Sequence, residues 1–483
     1  MAHAKQWRVG ILLAATVAFW HGGNLAHAAD DAETLQAELA KLREEMLTNQ
    51  AAYQAQIGAL MGRIEQLENQ GAGPATASVT GPGTILINTP RGDASLGIGF
   101  NIDTAAGGSS AGDEIIKEGE SGLQGGAHDP NRNGFTLQAA ELSLIGVVDP
   151  YFDAQATILF QIDQDGETVL ELEEAFARTR FLPGGFQLAA GQFYSPFGRK
   201  NSIHVHAQDF ADQPVVITRM FGGDGQRQVG TNLSWLTPLP WYSELSIAAQ
   251  NSNGETMPSF GGEDEGIAEF ENVIIQQRNF SDLVYTGRWV NGFDLTDTLS
   301  VNIGASLSTG PNRTGPGNKT MIYGGDIYAK WVAADAVRGF PFVSFESEVI
   351  GRHYEAGDIN DTGRIDLEDW GMYAQALYGF TPGWVAGLRF GYADGDMGSD
   401  GSVDNRTDFN RSARYRISPN ITWYPTEWSK VRLQYNHDWA QALPGAGLSE
   451  DADPITGTYD SHTADSIWIQ LGVALGSHGA HEF

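Results

Sequence analysis

The sequence lacks cysteine entirely, so it offers neither disulfides nor thiolate metal ligands. Basic residues are few, since 29 Lys and Arg stand against 60 Asp and Glu, for a formal net charge of −31. Such acidity disfavours nucleic acid as a partner, because phosphates carry the same sign of charge. No Gly-x-Ser-x-Gly motif with catalytic partners and no His-Glu-x-x-His motif occurs. We therefore expect no enzymatic activity.

Long apolar runs are also missing after residue 28, so no later segment is a candidate for a membrane-spanning helix. Before it, Lys5 and Arg8 precede an apolar run from Val9 to Trp20, and Ala26-His27-Ala28 follows as a small-x-small site. This order predicts a secretory signal peptide over residues 1–28, with a short anchor helix as the alternative. Its removal changes the formal charge from −31 to −33, because Lys5 and Arg8 leave.

Residues 29–69 are predicted to form a periplasmic coiled-coil stem. Apolar residues follow heptad spacing in two blocks, Leu35 to Met46 and Ile57 to Leu67, separated by a stutter. A seam this narrow prefers another copy of itself, and a trimer fits it. The alternative is a single amphipathic helix lying on its own barrel. Residues 70–83 are rich in Gly, Pro, Ala, Ser and Thr, and are predicted to be a flexible linker.

Residues 84–483 are predicted to form a transmembrane β-barrel of about 16 antiparallel strands, an architecture that leaves no backbone polar group unpaired in the bilayer. Tight turns alternate with long polar loops along this region, the asymmetry of short periplasmic turns and long extracellular loops. A terminal aromatic, Phe483, is how outer-membrane barrels usually end. The expected turns lie at Asp149-Pro150, Phe181 to Gly185, Leu236 to Pro240, Asn291-Gly292-Phe293, Arg338 to Pro341, Thr381-Pro382-Gly383 and Tyr424-Pro425-Thr426, and the expected loops at 103–133, 162–168, 195–225, 251–279, 309–319, 355–368, 394–411 and 442–463.

Strand alternation assigns faces to individual residues. In 414–424 and 430–439, apolar side chains alternate with polar ones, which places lipid outside and a polar, water-filled lumen inside. A soluble β-sandwich, the alternative, would put the apolar face inward. The basic side chains favour anions weakly, although the wall charges could instead pair with one another. The predicted pore-lining residues are Arg389, Arg414, Arg416, Lys430, Arg432, Glu346 and Glu348.

The loop 195–225 is long and rich in basic and His residues, and a porin constriction is often a loop folded into the lumen. Its candidate constriction residues are Arg199, Lys200, His204 and His206. A loop lying over the rim is the equal alternative. On a strand, His204 and His206 would point to one side, where a divalent metal such as zinc could use them with Asp209.

Residues 358–369 match the spacing of an EF-hand-type calcium loop. Gly363 supplies the turn, and Asp stands at the twelfth position where Glu is usual. An acidic solvated loop is the alternative, and no cofactor is required in either case. The candidate ligands are Asp358, Asn360, Thr362, Arg364 (through its carbonyl), Asp366 and Asp369.

Three stretches carry a family resemblance: Gly134 to Phe152, Ala190 to Gly198, and Leu475 to Phe483. They resemble the phosphate-selective-porin-like outer-membrane proteins (porin O/P superfamily), and most closely the branch labelled zinc-regulated outer-membrane receptors. The resemblance implies a sixteen-stranded homotrimeric porin in the Gram-negative outer membrane. The receptor label implies energised transport, but the stem and linker leave no room for a plug domain before the first strand.

Three functions follow, in order of preference. The first is a porin for passive diffusion of small hydrophilic solutes or ions. The second is a zinc-binding outer-membrane uptake receptor. The third is a structural tether, in which the stem joins the outer membrane to the cell wall. The expected partners are outer-membrane lipids, other copies of the chain and small solutes.

Overall fold

A computed structural model describes residues 76–81, 84–88, 94–116, 123, 125–162, 166–262, 277–315, 317–357, 365–396, 411–441 and 462–476. The predicted signal peptide, stem and Phe483 lie outside the described residues, as do parts of the predicted linker and calcium loop. No helix among the described residues is both long and apolar enough to cross a membrane.

Sixteen antiparallel strands, β3 to β18, form a closed barrel in the described part of the chain. Each strand pairs with the next along the sequence, and β18 pairs with β3 from Ser466–Ser109 to Gly476–Gly99. The predicted strand number and closed antiparallel architecture are therefore confirmed. The strands are β3 (Ser95–Ser109), β4 (Gly134–Val147), β5 (Phe152–Ile162), β6 (Thr168–Thr179), β7 (Phe186–Tyr194), β8 (Arg227–Leu236), β9 (Tyr242–Asn251), β10 (Leu283–Thr296), β11 (Leu299–Pro311), β12 (Lys319–Val337), β13 (Phe340–Ala356), β14 (Ile365–Thr381), β15 (Trp384–Gly395), β16 (Arg414–Thr426), β17 (Ser429–Ala440) and β18 (His462–Gly476).

Two further strands precede the barrel and form a hairpin, β1 (Thr76–Gly81) and β2 (Thr84–Asn88). β2 pairs with the first residues of β3, from Ile85–Ile98 to Asn88–Ser95. Residues 76–81 were expected to be linker, so strand structure begins earlier than the sequence indicated. β18 pairs with β3 as far as Gly476–Gly99, and β2 then pairs with the remaining first residues of β3, Ile98 to Ser95.

The connections at the two ends of the barrel differ in length as predicted. One end carries short turns, such as 148–151, 338–339 and 382–383, and the other carries long connections, such as 195–226 and 252–282. Two predicted turns are exceptions: Asn291-Gly292-Phe293 lies inside β10, with the turn following at 297–298, and Tyr424-Pro425-Thr426 forms the end of β16, with the turn following at 427–428. A glycine suits position 292 within the strand, because a Cβ there would crowd the side chains of Tyr242 and Asn302 on the flanking strands.

The outer face of the barrel is apolar. Along β18 the outward side chains are apolar from Ile467 to Leu475 and are about half exposed, while the alternate side chains are buried inside. Aromatic rings cluster near the turn end, where Trp384 stacks on Trp423 with centroids 5.9 Å apart. Others cluster near the loop end, where Tyr415 stacks on Trp439 at 5.4 Å. An apolar band between two aromatic girdles is the surface that a bilayer requires.

Helices occur only in the long connections of the described chain. A short helix, α1 (Asp113–Ile116), lies between β3 and β4, and α2 (Val215–Phe221) lies between β7 and β8. Two 3-10 turns, Val205–Ala207 and Phe280–Asp282, complete them. All seven residues of α2 are buried, which places the helix inside the barrel.

Candidate functional site

The connection between β7 and β8, residues 195–226, folds into the lumen, and we call it the inserted segment. Its entry is fixed at Gly198, whose φ of 57° suits glycine and whose Cβ would collide with the Glu348 carboxylate of β13. The backbone N–H groups of Arg199 and Lys200 donate to Glu348 Oε1 at 2.9 and 2.5 Å. The structure thus places this segment in the lumen and not over the rim.

One side of the inserted segment forms an apolar core inside the barrel. Val216, Met220 and Phe221 of the segment are 0 % exposed. They pack with Met257 and Phe260 from the connection between β9 and β10. Inward wall residues complete this cluster, and they are Val284, Ile322, Ile350 and Tyr373. The core is absent from the sequence-based prediction, although five apolar residues among the seven of Val215–Phe221, within a polar loop, were its signal.

The other side of the inserted segment is held by the inward basic residues of the wall. Asp212 Oδ1 accepts from Arg389 at 2.5 Å, and Asp212 Oδ2 accepts from Arg416 at 2.8 Å. Lys430 Nζ donates to the His206 carbonyl at 2.7 Å, and Arg432 donates to the Gln208 carbonyl at 2.9 Å. Burial opposes ionisation of Asp212, but the two guanidinium groups outweigh it and lower its pKa.

These contacts change the role of the predicted pore-lining residues. The alternation correctly assigned all of them to the inner face, yet each is buried: Arg389 and Arg432 are 1 % exposed, and Arg416 is 6 % exposed. A passing ion cannot touch a side chain that is covered by the inserted segment. The basic wall therefore docks that segment, and the prediction that it forms an open path for anions is corrected. The other predicted wall residues are equally buried, namely Arg414, Lys430, Glu346 and Glu348.

Arg199 is the basic residue of the inserted segment that reaches solvent. Its side chain is 33 % exposed, donates to Glu346 Oε2 at 2.8 Å and lies over the Tyr328 ring at 3.9 Å. Lys200, by contrast, is 3 % exposed. Of the four predicted constriction residues, Arg199 is thus placed to face the remaining lumen, whereas His204 and His206 are buried.

The two histidines meet three glutamates of the wall rather than Asp209. His204 Nδ1 lies 3.0 Å from Glu173 Oε2, and its Nε2 lies 3.1 Å from Glu174 Oε2. His206 Nδ1 lies 2.9 Å from Glu141 Oε2. Burial opposes protonation of His204, but the hydrogen bonds to Glu173 and Glu174 outweigh it and raise its pKa well above the usual value.

Asp209 lies elsewhere, which corrects its assignment as a metal ligand. Its carboxylate accepts from Gln375 at 3.1 Å, and its carbonyl accepts from Asn420 at 3.0 Å, both on other strands. Burial raises the pKa of Asp209, with the Lys200 charge opposing. The sequence indicates only weakly the glutamates that contact the histidines. The doublet Glu173-Glu174 interrupts the two-residue alternation, and β6 has a β-bulge beside it.

The connection between β3 and β4 also enters the lumen. Its Ile116 and Leu123 pack against Ala440, Ala464 and Trp468 of the wall. Asp129 of the same connection accepts from the backbone N–H of Gly126 at 2.7 Å and of Gln213 at 2.9 Å. Burial, together with the nearby Asp212 charge, raises the pKa of Asp129 to about 8. The two connections therefore support one another across the lumen.

The predicted calcium loop is described only at its end. Asp366 and Asp369 lie on β14, while Asp358, Asn360, Thr362 and Arg364 lie outside the described residues. Asp369 Oδ2 is 2.6 Å from Arg352 and 2.8 Å from Arg411. Two arginines on this carboxylate argue against Asp369 as the twelfth ligand, and calcium at the remaining positions stays a prediction.

No family model matches the chain. An uncharacterized protein of Aquifex aeolicus is 31 % identical over 364 residues, covering 73 % of this chain and 71 % of the relative. The outer membrane channel DcaP of Acinetobacter baumannii has a TM-score of 0.52 at 12 % identity, covering 79 % of this chain and 98 % of the channel. An anion-selective porin from Comamonas acidovorans has a TM-score of 0.47 at 10 % identity, over 79 % of this chain and 100 % of the porin. The similarity to DcaP shows that the fold is that of an outer-membrane channel.

Proposed function

We propose that this chain, which belongs to the same family as the uncharacterized Aquifex aeolicus protein, forms an outer-membrane channel for passive diffusion of small hydrophilic solutes or ions. One observation carries the proposal: a closed sixteen-stranded barrel has an apolar outer face and an interior narrowed by its own inserted segment. Water fills the part of such a barrel that the segment leaves free. The shared fold with DcaP, described as an outer membrane channel, supports the same function.

The narrowest part of the passage is proposed to lie beside Arg199. The guanidinium is held by Glu346 and Tyr328 and remains one-third exposed, so it presents a fixed positive charge to the lumen. A charge at a constriction acts on passing ions more strongly than one on an outer loop. We propose a weak preference for anions that depends on this residue, since the basic wall residues that were predicted to line the pore are covered, namely Arg389, Arg414, Arg416, Lys430 and Arg432.

Orientation and assembly complete the proposal. The short turns face the periplasm and the long connections face outside, as in other bacterial barrels. A homotrimer is proposed from the predicted stem over residues 29–69, which would hang in the periplasm. The signal peptide over residues 1–28 would direct export.

Single-channel recording in a planar bilayer tests the function. The purified protein should give stepwise, ohmic conductance, and a potassium chloride gradient should give a reversal potential displaced toward that of chloride. A protein that inserts into the bilayer, as shown by protease protection, but gives no conductance would overturn the channel proposal.

A further inference from the structure

We propose that the His–Glu cluster, defined as Glu141, Glu173, Glu174, His204 and His206, binds one divalent transition-metal ion of the class that accepts imidazole nitrogen and carboxylate oxygen together. The ligands are Glu141, Glu173 and His204, so the ion would join the inserted segment, through His204, to wall strands β4 and β6. This inference concerns binding within the lumen and does not depend on which solute the channel passes.

The ligand atoms are close to metal-binding geometry. One ligand atom each from Glu141, Glu173 and His204 lie within 4.8 Å of one another. His204 Nδ1 is 3.0 Å from Glu173 Oε2 and 3.8 Å from Glu141 Oε2. Two ligands bound tetrahedrally at about 2.0–2.1 Å lie about 3.4 Å apart. Shifts of a few tenths of an ångström would therefore suit both pairs with His204, and the Glu141–Glu173 pair, which is at most 4.8 Å apart, would close by at most about 1.4 Å.

The charge of the cluster also calls for a cation. Glu141 is 0 % exposed, Glu173 is 1 % and Glu174 is 8 %. Among the described residues, their ion-pair partners are the two histidines, and no Lys or Arg lies within 4.0 Å of these carboxylates. Buried carboxylates without a permanent cation are costly. A divalent ion supplies two positive charges where one imidazolium supplies a single charge.

Neighbouring carboxylates show the contrast. Asp212 is paired with two arginines, and so is Asp369. A second group of possible ligands, His128 with Glu171 and Asp224, has Arg227 in contact with Glu171, so a cation is already present there. The His–Glu cluster differs because, in the part of the chain that the structure describes, no Lys or Arg forms an ion pair with its three carboxylates.

Hydrogen bonds already orient the three carboxylates. Ser143 Oγ donates to Glu141 Oε1 at 2.8 Å, and the Tyr194 hydroxyl donates to Glu173 Oε1 at 3.1 Å. In each case the second oxygen is left to face a histidine. Gln155 donates to Glu174 Oε2 at 3.1 Å. Partners of this kind fix the ligands of metal sites, and their loss weakens binding by about 10–100-fold.

The ligand types indicate the metal. Imidazole with carboxylate suits zinc, cobalt, nickel and related ions, whereas calcium requires six to eight oxygen ligands. The sequence contains no cysteine, so no thiolate competes for such an ion. The cluster also lies beside a part of the wall with fewer backbone pairs. The pairing of β6 with β7 covers Ala175 to Arg178 and does not extend to Glu174.

The test uses the full-length protein in detergent, stripped with a chelator and titrated with cobalt(II) as a spectroscopic probe and with zinc as a competitor. We expect one ion per chain with a visible absorption band of a low-coordinate His–carboxylate site, displaced by zinc. His204→Gln and Glu173→Gln should each weaken this binding by more than about 100-fold, and Tyr194→Phe by about 10-fold. His437→Gln should leave it unchanged, because His437 pairs with exposed Asp465 on the outer face.

Folding of each variant is checked by its heat-modifiable migration on a gel and by its conductance, so weak binding cannot be mistaken for unfolding. Two outcomes overturn the proposal: wild-type protein that binds cobalt no more tightly than millimolar, or His204→Gln and Glu173→Gln variants that bind as tightly as wild type. If both substitutions prevent folding, Tyr194→Phe decides alone, and binding equal to that of wild type contradicts the site.

Discussion

At the scale of single residues, the two-residue alternation predicted which face of the barrel each side chain occupies but not which groups contact it. It placed Arg389, Arg416 and Lys430 on the inner face, where the structure has them. Their partners come from Asp212 and the His206 carbonyl, about 200 residues earlier in the chain. Periodicity within a strand carries no information about such distant contacts, so the covering of these side chains could not be predicted.

Asp212→Asn is expected to destabilise the barrel. Asp212 is 3 % exposed and lies between two buried guanidinium groups, so removal of its charge leaves part of their charge uncompensated. Breaking a buried pair costs about 3–5 kcal/mol, and the remaining Arg416–Asp438 pair places the loss toward the lower end. Urea unfolding in detergent micelles measures it. Asp465→Asn, at an exposed pair with His437, is the matched control and should be indistinguishable from wild type.

Arg199→Ala is expected to reduce anion preference. A unit charge 4 Å from a passing ion is worth about 1 kcal/mol in water, so the anion-to-cation permeability ratio should fall several-fold. Reversal potentials in a salt gradient give this ratio. Arg278→Ala is the control, because Arg278 is exposed and lies five residues before the start of β10 at Leu283, at the end of the barrel that carries the long connections. An unchanged ratio in Arg199→Ala would show that the passage runs elsewhere.

At the scale of elements, turn chemistry predicted the barrel well and its contents poorly. Turns such as Phe181 to Gly185 and Thr381-Pro382-Gly383 lie where they were expected. The turn predicted at Asn291-Gly292-Phe293 is wrong, because β10 continues through these residues and pairs there with β9 on one side and β11 on the other. Helix α2 was missed because seven residues, five of them apolar, are too few to show a helical periodicity, and burial inside the barrel stabilises it.

Met220→Asp is expected to release the inserted segment from the wall. Met220 is 0 % exposed within the apolar cluster, and an unpaired charge there is too costly to remain buried. We expect larger and noisier single-channel conductance, because the lumen loses part of its filling. Met220→Leu, which nearly conserves volume, should cost less than about 1.5 kcal/mol and keep the wild-type conductance. Equal conductance in all three proteins would contradict the role of α2.

The contact between the two inserted connections is expected to weaken as the pH rises. Burial and Asp212 raise the pKa of Asp129 to about 8, with Arg416 and the N–H groups of Gly126 and Gln213 opposing. The folded protein then holds a proton that the unfolded chain releases above about pH 4. The free energy of unfolding should therefore fall between about pH 4 and pH 8, by at most about 1.4 kcal/mol per pH unit.

Thermal unfolding in detergent across this pH range checks the sign. Asp129→Asn cannot ionise, so its unfolding temperature should depend less steeply on pH than that of wild type. Parallel curves for the two proteins would show that Asp129 is already ionised at low pH.

At the scale of the whole molecule, the closure of the barrel wall and the filling of the barrel interior have separate structural causes. The pairing of β18 with β3 closes the wall through the same antiparallel backbone pairing that joins the other neighbouring strands. The interior is then filled by connections whose side chains match the wall, with apolar residues on one side and Asp212 opposite arginines on the other. The bilayer therefore determines the outer surface of the barrel. The shape of the lumen is determined by the three connections that enter it, which join β3 to β4, β7 to β8 and β9 to β10.

Deletion of residues 31–69 should separate assembly from transport. The predicted stem carries the heptad seam, so its loss should reduce the trimer fraction on native gels in mild detergent, whereas the wall, closed between β3 and β18, stays intact. We expect conductance per barrel within error of wild type, with fewer events in steps of three. A deletion variant that keeps the trimer would show that the barrel walls alone assemble it. Loss of all conductance, with the barrel still heat-modifiable, would instead assign the stem a part in transport.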